Sequence, residues 1–202
     1  MNKCKFALLT ASLVLAITFT LSCTSDDPDD NPGSGSAPVA STNANGDQTY
    51  KVEGEQVYAE VTVPPPPYTG SANVIVDKYN ISAGRIENGK LSLNLPSISN
   101  FSADEGIDDN RLGLSADGCE LGLLGTIKGV ASMTRETYRD DMKSAGFFFY
   151  ASETGEISAP DGTKFNLKKG WNLFYILVAD RSVSAVQPSG LTWEWMLDCD
   201  DD

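Results

Sequence analysis

Along much of this chain apolar residues recur at every second position, and that period constrains what the chain can build. In "VYAEVTV", Val57, Ala59, Val61 and Val63 share one face while Tyr58, Glu60 and Thr62 take the other. In "LTWEWML", Leu191, Trp193, Trp195 and Leu197 oppose Thr192 and Glu194. "WNLFYILVA" is apolar on both sides, with Trp171, Leu173, Tyr175 and Leu177 against Phe174, Ile176 and Val178, which predicts a central strand. "GFFFYA", Gly146–Ala151, is a short, wholly apolar run suited to a strand buried on both faces. No fixed-period repeat is evident, and only "TRETYRDDMKSA", Thr134–Ala145, has the composition of a short helix.

Turn residues punctuate these strands. Asn88-Gly89 is the pair a type I′ hairpin favours, and Leu91, Leu93 and Leu95 then share a face before Pro96 ends the strand. "EISAPDGTKFNL" reads as a hairpin through Pro160-Asp161-Gly162, followed by a turn at Lys169-Gly170. The run Pro64–Pro67 reads as a stiff connection in preference to a docking motif. Asn100–Gly118 is long, polar and turn-rich, so it is the loop expected to carry function. The sum predicts an all-β domain over residues 49–202. The expected form is a single β-sandwich of about eight to ten antiparallel strands, with a small closed β-barrel as the alternative.

Composition removes whole classes of chemistry. The 202 residues contain no histidine, which excludes Ser-His-Asp and Cys-His catalysis, zinc sites built on histidine, and a histidine pH switch. Acidic residues number 28 against 15 basic, a net charge of −13, so nucleic acid is not an expected partner and a basic patch cannot supply membrane binding.

The N-terminus points to a different means of attachment. Lys3 and Lys5 precede "FALLTASLVLAITFTL", Phe6–Leu21, an apolar run of 16 residues that is short for a membrane span and typical of a signal peptide. It stops at Leu21-Ser22-Cys23, and "TSDDPDDNPGSGS" follows at once. This boundary resembles that of bacterial lipoprotein precursors, which are cut before a cysteine that then carries a diacylglyceryl group. Thr20 holds the place where that family most often has leucine, with Leu21 one step later. The resemblance implies a signal peptide over 1–22 and lipidation at Cys23, with palmitate-like chains as the covalent lipid. Paired acyl chains, at ~0.8 kcal/mol per buried CH₂, form a stable anchor.

Residues 23–48 then read as the lipidated cysteine and a disordered acidic tether, poor in apolar residues and rich in proline, glycine and acid. Asp26, Asp27, Asp29 and Asp30 resemble the acidic export signal of lipoproteins carried to the cell surface in Bacteroidetes-like bacteria. The implied location is the outer membrane at the cell surface, with its periplasmic face as the alternative. Cys119 and Cys199 are left once Cys4 is removed and Cys23 acylated. In an oxidising compartment they form a disulfide or stay as two thiols, and closing so long a loop would contribute roughly 4–5 kcal/mol.

Candidate chemistry is sparse. Asp104, Glu105, Asp108, Asp109, Asn110 and Asp117 supply oxygens of the kind calcium takes, but their spacing is not that of an EF-hand. Asp104, Asp108, Asp109 and Asp117 are thus weak metal candidates, and no cofactor is expected. Trp171, Trp193 and Trp195 are residues that stack on sugars, yet each shares a strand face with leucine, where core packing is the commoner use. No carboxylate pair carries a glycosidase motif, there is no Ser-x-x-Lys, and "GLLGTIKG" lacks P-loop spacing. No catalytic residue is assigned. The expectation is a lipid-anchored, non-enzymatic envelope protein binding a glycan or a protein. A periplasmic structural or assembly lipoprotein is the alternative, and a small glycosidase is the third reading.

Overall fold

The computed structural model describes residues 38–59, 65–103, 107–127 and 141–199. They form an all-β domain of thirteen strands, one short helix and one 3₁₀ turn. Along the first half of the chain the strands are β1 (Val39–Thr42), β2 (Gln48–Tyr58), β3 (Ser71–Val76), β4 (Ile81–Glu87), β5 (Lys90–Asn94) and β6 (Leu114–Ala116). Then come β7 (Cys119–Ile127), β8 (Met142–Ala151), β9 (Gly155–Ser158), β10 (Lys164–Leu167), β11 (Gly170–Leu177), β12 (Val183–Ser184) and β13 (Leu191–Asp198). Helix α1 spans Ile107–Asn110.

The sheet closes on itself. Pairings run β2–β5–β4–β3–β6–β7–β8–β11 and return to β2, giving a closed, mixed eight-strand barrel, so the fold is all-β as expected and fits the barrel alternative, while the sandwich is not confirmed. The closing contact is the parallel pair Gly170–Gln48, reinforced by the Gln48 side-chain amide donating to the Trp171 carbonyl at 2.9 Å. A second parallel contact joins β13 to β2 at Trp195–Val57 and Met196–Tyr58. The strands are therefore not all antiparallel, as the sequence reading had them.

Local chemistry explains the turns and the inward faces. Asn88 and Gly89 have φ of 51° and 76°, the two positive values a type I′ turn needs, and Glu87 pairs with Lys90 across it. Asp117 and Gly118, at 54° and 80°, repeat the device between β6 and β7. Within β2 the register shifts between Glu53 and Glu55, around Gly54 at φ 79°. That bulge moves the buried face from the even positions Tyr50 and Val52 to the odd position Val57. At Gly84 a Cβ would run into the Ser92 carbonyl oxygen, so only glycine lets β4 and β5 approach there.

The barrel interior holds Val57, Val74, Ile86, Leu91, Leu93 and Trp171, each almost wholly buried. Phe148 and Tyr150 of β8 meet Trp171 of β11 edge-on at 6.0 and 5.4 Å. The opposite face of the same two strands presents Phe149 and Phe174, which Phe165 and Leu167 of β10 cover from outside. Strands β9 and β10 form a separate two-stranded hairpin over that face, which explains why β8 and β11 are apolar on both sides.

Three expectations need correction. The domain reaches upstream of residue 49: Val39–Thr42, expected as tether, pairs with β2 from Val39–Lys51 to Thr42–Gln48. The presumed functional loop 100–118 contains α1 and β6, with Leu112, Leu114 and Ala116 buried at alternating positions. Of the expected helix Thr134–Ala145, residues 134–140 lie outside the described residues, Asp141 is helical, and Met142–Ala145 are strand, where they pair with β7 as far as Thr126–Met142 and with β11 as far as Ser144–Leu177.

Two polar residues test this packing. The Asp47 carboxylate is buried where three segments meet: it accepts from Ser97 Oγ at 2.7 Å and from Asn43 Nδ2 at 3.4 Å, with Lys169 Nζ at 3.2 Å. The Ser97 hydrogen bond, then those from Lys169 and Asn43, hold its pKa below the usual value, against the opposing effect of burial. Because the folded state binds this proton less tightly, the stability it contributes is complete above the unfolded pKa of ~3.9 and is lost as pH falls through the lower folded value. Asp47→Asn should cost about 1.5–3 kcal/mol at pH 7 in urea unfolding, and its deficit relative to wild type should shrink below about pH 4. Ser144 is fully buried, and its hydroxyl has no hydrogen-bond partner among the described residues. Ser144→Ala should therefore raise stability by about 1 kcal/mol in the same assay.

Candidate functional site

The barrel wall has one irregular seam. Strand β7 pairs with β13 from Leu191–Ile127 to Asp198–Glu120, all of its length but Cys119. Its other edge is divided. Strand β6 takes Cys119 and Glu120, while β8 takes Leu123 to Thr126. Leu121 and Gly122 fall between the two ladders and have a strand partner only on β13, among the described residues. The wall closes again beyond the gap, where the Leu112 N–H donates to the Phe148 carbonyl at 2.9 Å and Arg111 bridges to Phe149.

That parting leaves a slot of about 380 Å³. One wall is Leu112–Leu114, the floor is Leu121–Leu124, and the far wall is Met142 with Ala145–Phe148. The lining of the slot is mainly apolar and includes Gly122, where a Cβ has room, and Gly146, where a Cβ would press on the Leu123 and Leu173 side chains at 3.0–3.3 Å. Its rim is charged. Glu120 and Asp198, both exposed, are direct cross-strand partners at one end. The Arg111 guanidinium lies over the Phe147 ring at 4.0 Å from its centroid.

Cysteines fix the carboxylate end. Cys119 and Cys199 form a disulfide with Cα atoms 4.3 Å apart, one residue beyond the Glu120–Asp198 pair, and it closes a sequence separation of 80 residues. A loop of that length corresponds to roughly 4–5 kcal/mol in the chain-entropy account.

The other residues singled out from the sequence do not converge. Cys23, Asp104 and Glu105 lie outside the described residues. Asp108 and Asp109 sit on α1, and Asp109 pairs with Lys78 at 3.4 Å. Asp117 is in the β6–β7 turn, where it accepts from the Tyr68 hydroxyl at 3.3 Å. Burial first, and then the Asp117 charge, raise the Tyr68 pKa. Asn110 is buried and its amide donates to the Tyr150 carbonyl at 2.9 Å, a structural use in place of a metal ligand. Among the described residues no three metal-ligating side chains meet.

All three tryptophans are in the core. Trp171 Nε1 donates to the Pro96 carbonyl at 2.6 Å and Trp193 Nε1 to the Pro188 carbonyl at 3.2 Å, so their polar ends are engaged as well. They offer no face for sugar stacking. Pro64 lies outside the described residues, but Pro67 bridges to Tyr58, and the Tyr68 N–H donates to the Val57 carbonyl at 2.9 Å. That end of the run is a strand connection.

Comparison with protein-family models, with curated proteins and with solved structures finds no match to this chain. The reading of the slot therefore rests on its own chemistry. Removing the guanidinium that caps Phe147 should loosen the rim: Arg111→Ala is expected to cost about 0.5–1 kcal/mol by urea unfolding, and Arg111→Lys should recover only part of it.

Proposed function

We propose that this chain is a lipid-anchored protein of the cell envelope, held in the outer membrane through Cys23 and displayed at the cell surface as a non-enzymatic binding module. The observation that carries the proposal is the border at Leu21-Ser22-Cys23, where 16 apolar residues end on a cysteine and acid, proline and glycine begin. The Cys119–Cys199 disulfide supports export, since such bonds persist in oxidising compartments. With β1 beginning at Val39, the segment between Cys23 and the first strand shortens to residues 24–38.

The binding half of the proposal rests on the slot, whose apolar depth and charged rim have the composition of a recognition site. Between a glycan and a protein ligand, the buried tryptophans and the leucine-rich walls favour a protein. Protease treatment of intact cells carrying an epitope-tagged copy tests the location. Digestion of the wild type, with a periplasmic control spared, is the expected result. Cys23→Ala should leave the membrane fraction. Protection until the outer membrane is broken would move the domain to the periplasmic face, and a Cys23→Ala protein that stays on the membrane would remove the anchor.

A further inference from the structure

We propose that the slot beside β7 is a docking site for an extended peptide segment of a partner protein, one that places a bulky apolar side chain in the slot and a lysine or arginine beside it. This deepens the reading of the domain as a binding module and does not depend on which side of the membrane it faces.

The first support is the slot's composition. A volume of about 380 Å³ walled by Leu112, Leu114, Leu123, Leu124 and Phe148 suits one leucine-, methionine- or phenylalanine-sized anchor with its backbone. The second is the main chain. Alternate residues of a strand turn their N–H and C=O groups to the same edge, so Leu121, like Cys119, faces β6 and β8; its N–H is taken up beside the Ser115–Glu120 pair, and its carbonyl faces the gap between the two ladders. A backbone acceptor in an apolar wall calls for an N–H donor, which a peptide supplies and an alkyl chain does not. The third is charge. Glu120 stands exposed at one end of the slot, and the chain as a whole carries −13. The Glu120 carboxylate and the long-range field attract a basic neighbour of the anchor. A second copy of this chain brings the same net negative charge and fits poorly.

Gly122 provides the handle. Gly122 lines the slot, and a Cβ there would meet only Leu124 Cδ2 at 3.8 Å and the Met196 carbonyl oxygen at 4.0 Å, so a side chain can be added at this lining position without a Cβ–backbone clash. The experiment uses the purified full-length chain, in lipid nanodiscs if it fractionates with membranes and in buffer if it does not. Fluorescence anisotropy follows labelled, end-capped heptapeptides with a central leucine flanked by lysines. Saturable binding is expected. A central serine should weaken it at least about tenfold. Glutamate flanks should weaken it further at low salt, by a margin that closes in high salt. Gly122→Val should abolish binding while leaving the thermal melt near wild type. Glu120→Lys, on the exposed rim, should shift the preference from lysine to glutamate flanks, and it keeps the test decisive if Gly122→Val unfolds.

Absence of binding by any of these peptides would overturn the proposal. So would undiminished binding to folded Gly122→Val, or a flank preference that Glu120→Lys leaves unchanged. Displacement of the peptide by dodecanoate at equal or lower concentration would identify an alkyl site instead and would also overturn it. Peptide binding by a protein that proves not to be anchored would retire the location reading alone. Anchoring without peptide binding would retire this one alone.

Discussion

The eleven residues of β2 carry both contacts by which the sheet returns on itself. At one end Gln48 meets Gly170 of β11, and at the other Val57 and Tyr58 meet Trp195 and Met196 of β13. Between them, β5 occupies the edge from Lys51 to Gln56. A straight strand could not serve all of these neighbours with one apolar face. The bulge at Gly54 bends β2 and exchanges which positions point inward, so Tyr50 and Val52 fill one part of the core and Val57 another. Around this strand the polar groups are also consumed. The Tyr50 hydroxyl accepts from the Leu173 N–H at 3.1 Å and Asp47 gathers Ser97 and Lys169, so the closure is fixed by hydrogen bonds as well as burial.

Much of this was legible locally. The pair Asn88-Gly89, the two-sided apolar run of β11 and the one-sided run of β13 each announce their roles, because turn chemistry and side-chain period act within a few residues. What was not legible depends on distant partners. Strand β1 has all four side chains exposed and so carries no hydrophobic period; it is a strand only because β2 offers it a free edge. Strand β6 did leave a trace, since Leu112, Leu114 and Ala116 alternate before the turn pair Asp117-Gly118, but the surrounding acids and glycines masked it. Barrel against sandwich is decided by two short parallel contacts, and no period within β2 reports them.

The site was the least legible feature. It arises where two ladders on one edge of β7 stop short of each other, a mismatch of registers between β6 and β8 that neither sequence encodes alone. Gly113, Gly122 and Gly146 are the local hints, glycines in or beside otherwise strand-like segments, and such residues often mark a close approach or an opening. The carboxylates crowded between Asp104 and Asp117 drew the eye instead. Those that are described serve a helix, a turn and an ion pair.

The exposed first strand has a mechanical meaning. Tension arriving from the N-terminal side enters the domain at Val39, and β1 runs antiparallel to β2 with that residue at the open end of the hairpin. A load directed away from β2 at that end would peel the pairs one after another, Val39–Lys51 first. No side chain of β1 is buried, so yielding costs little and leaves the core whole, while each released residue adds at most ~3.6 Å of slack. A chain pulled from upstream would therefore give up β1 before any strand with buried side chains.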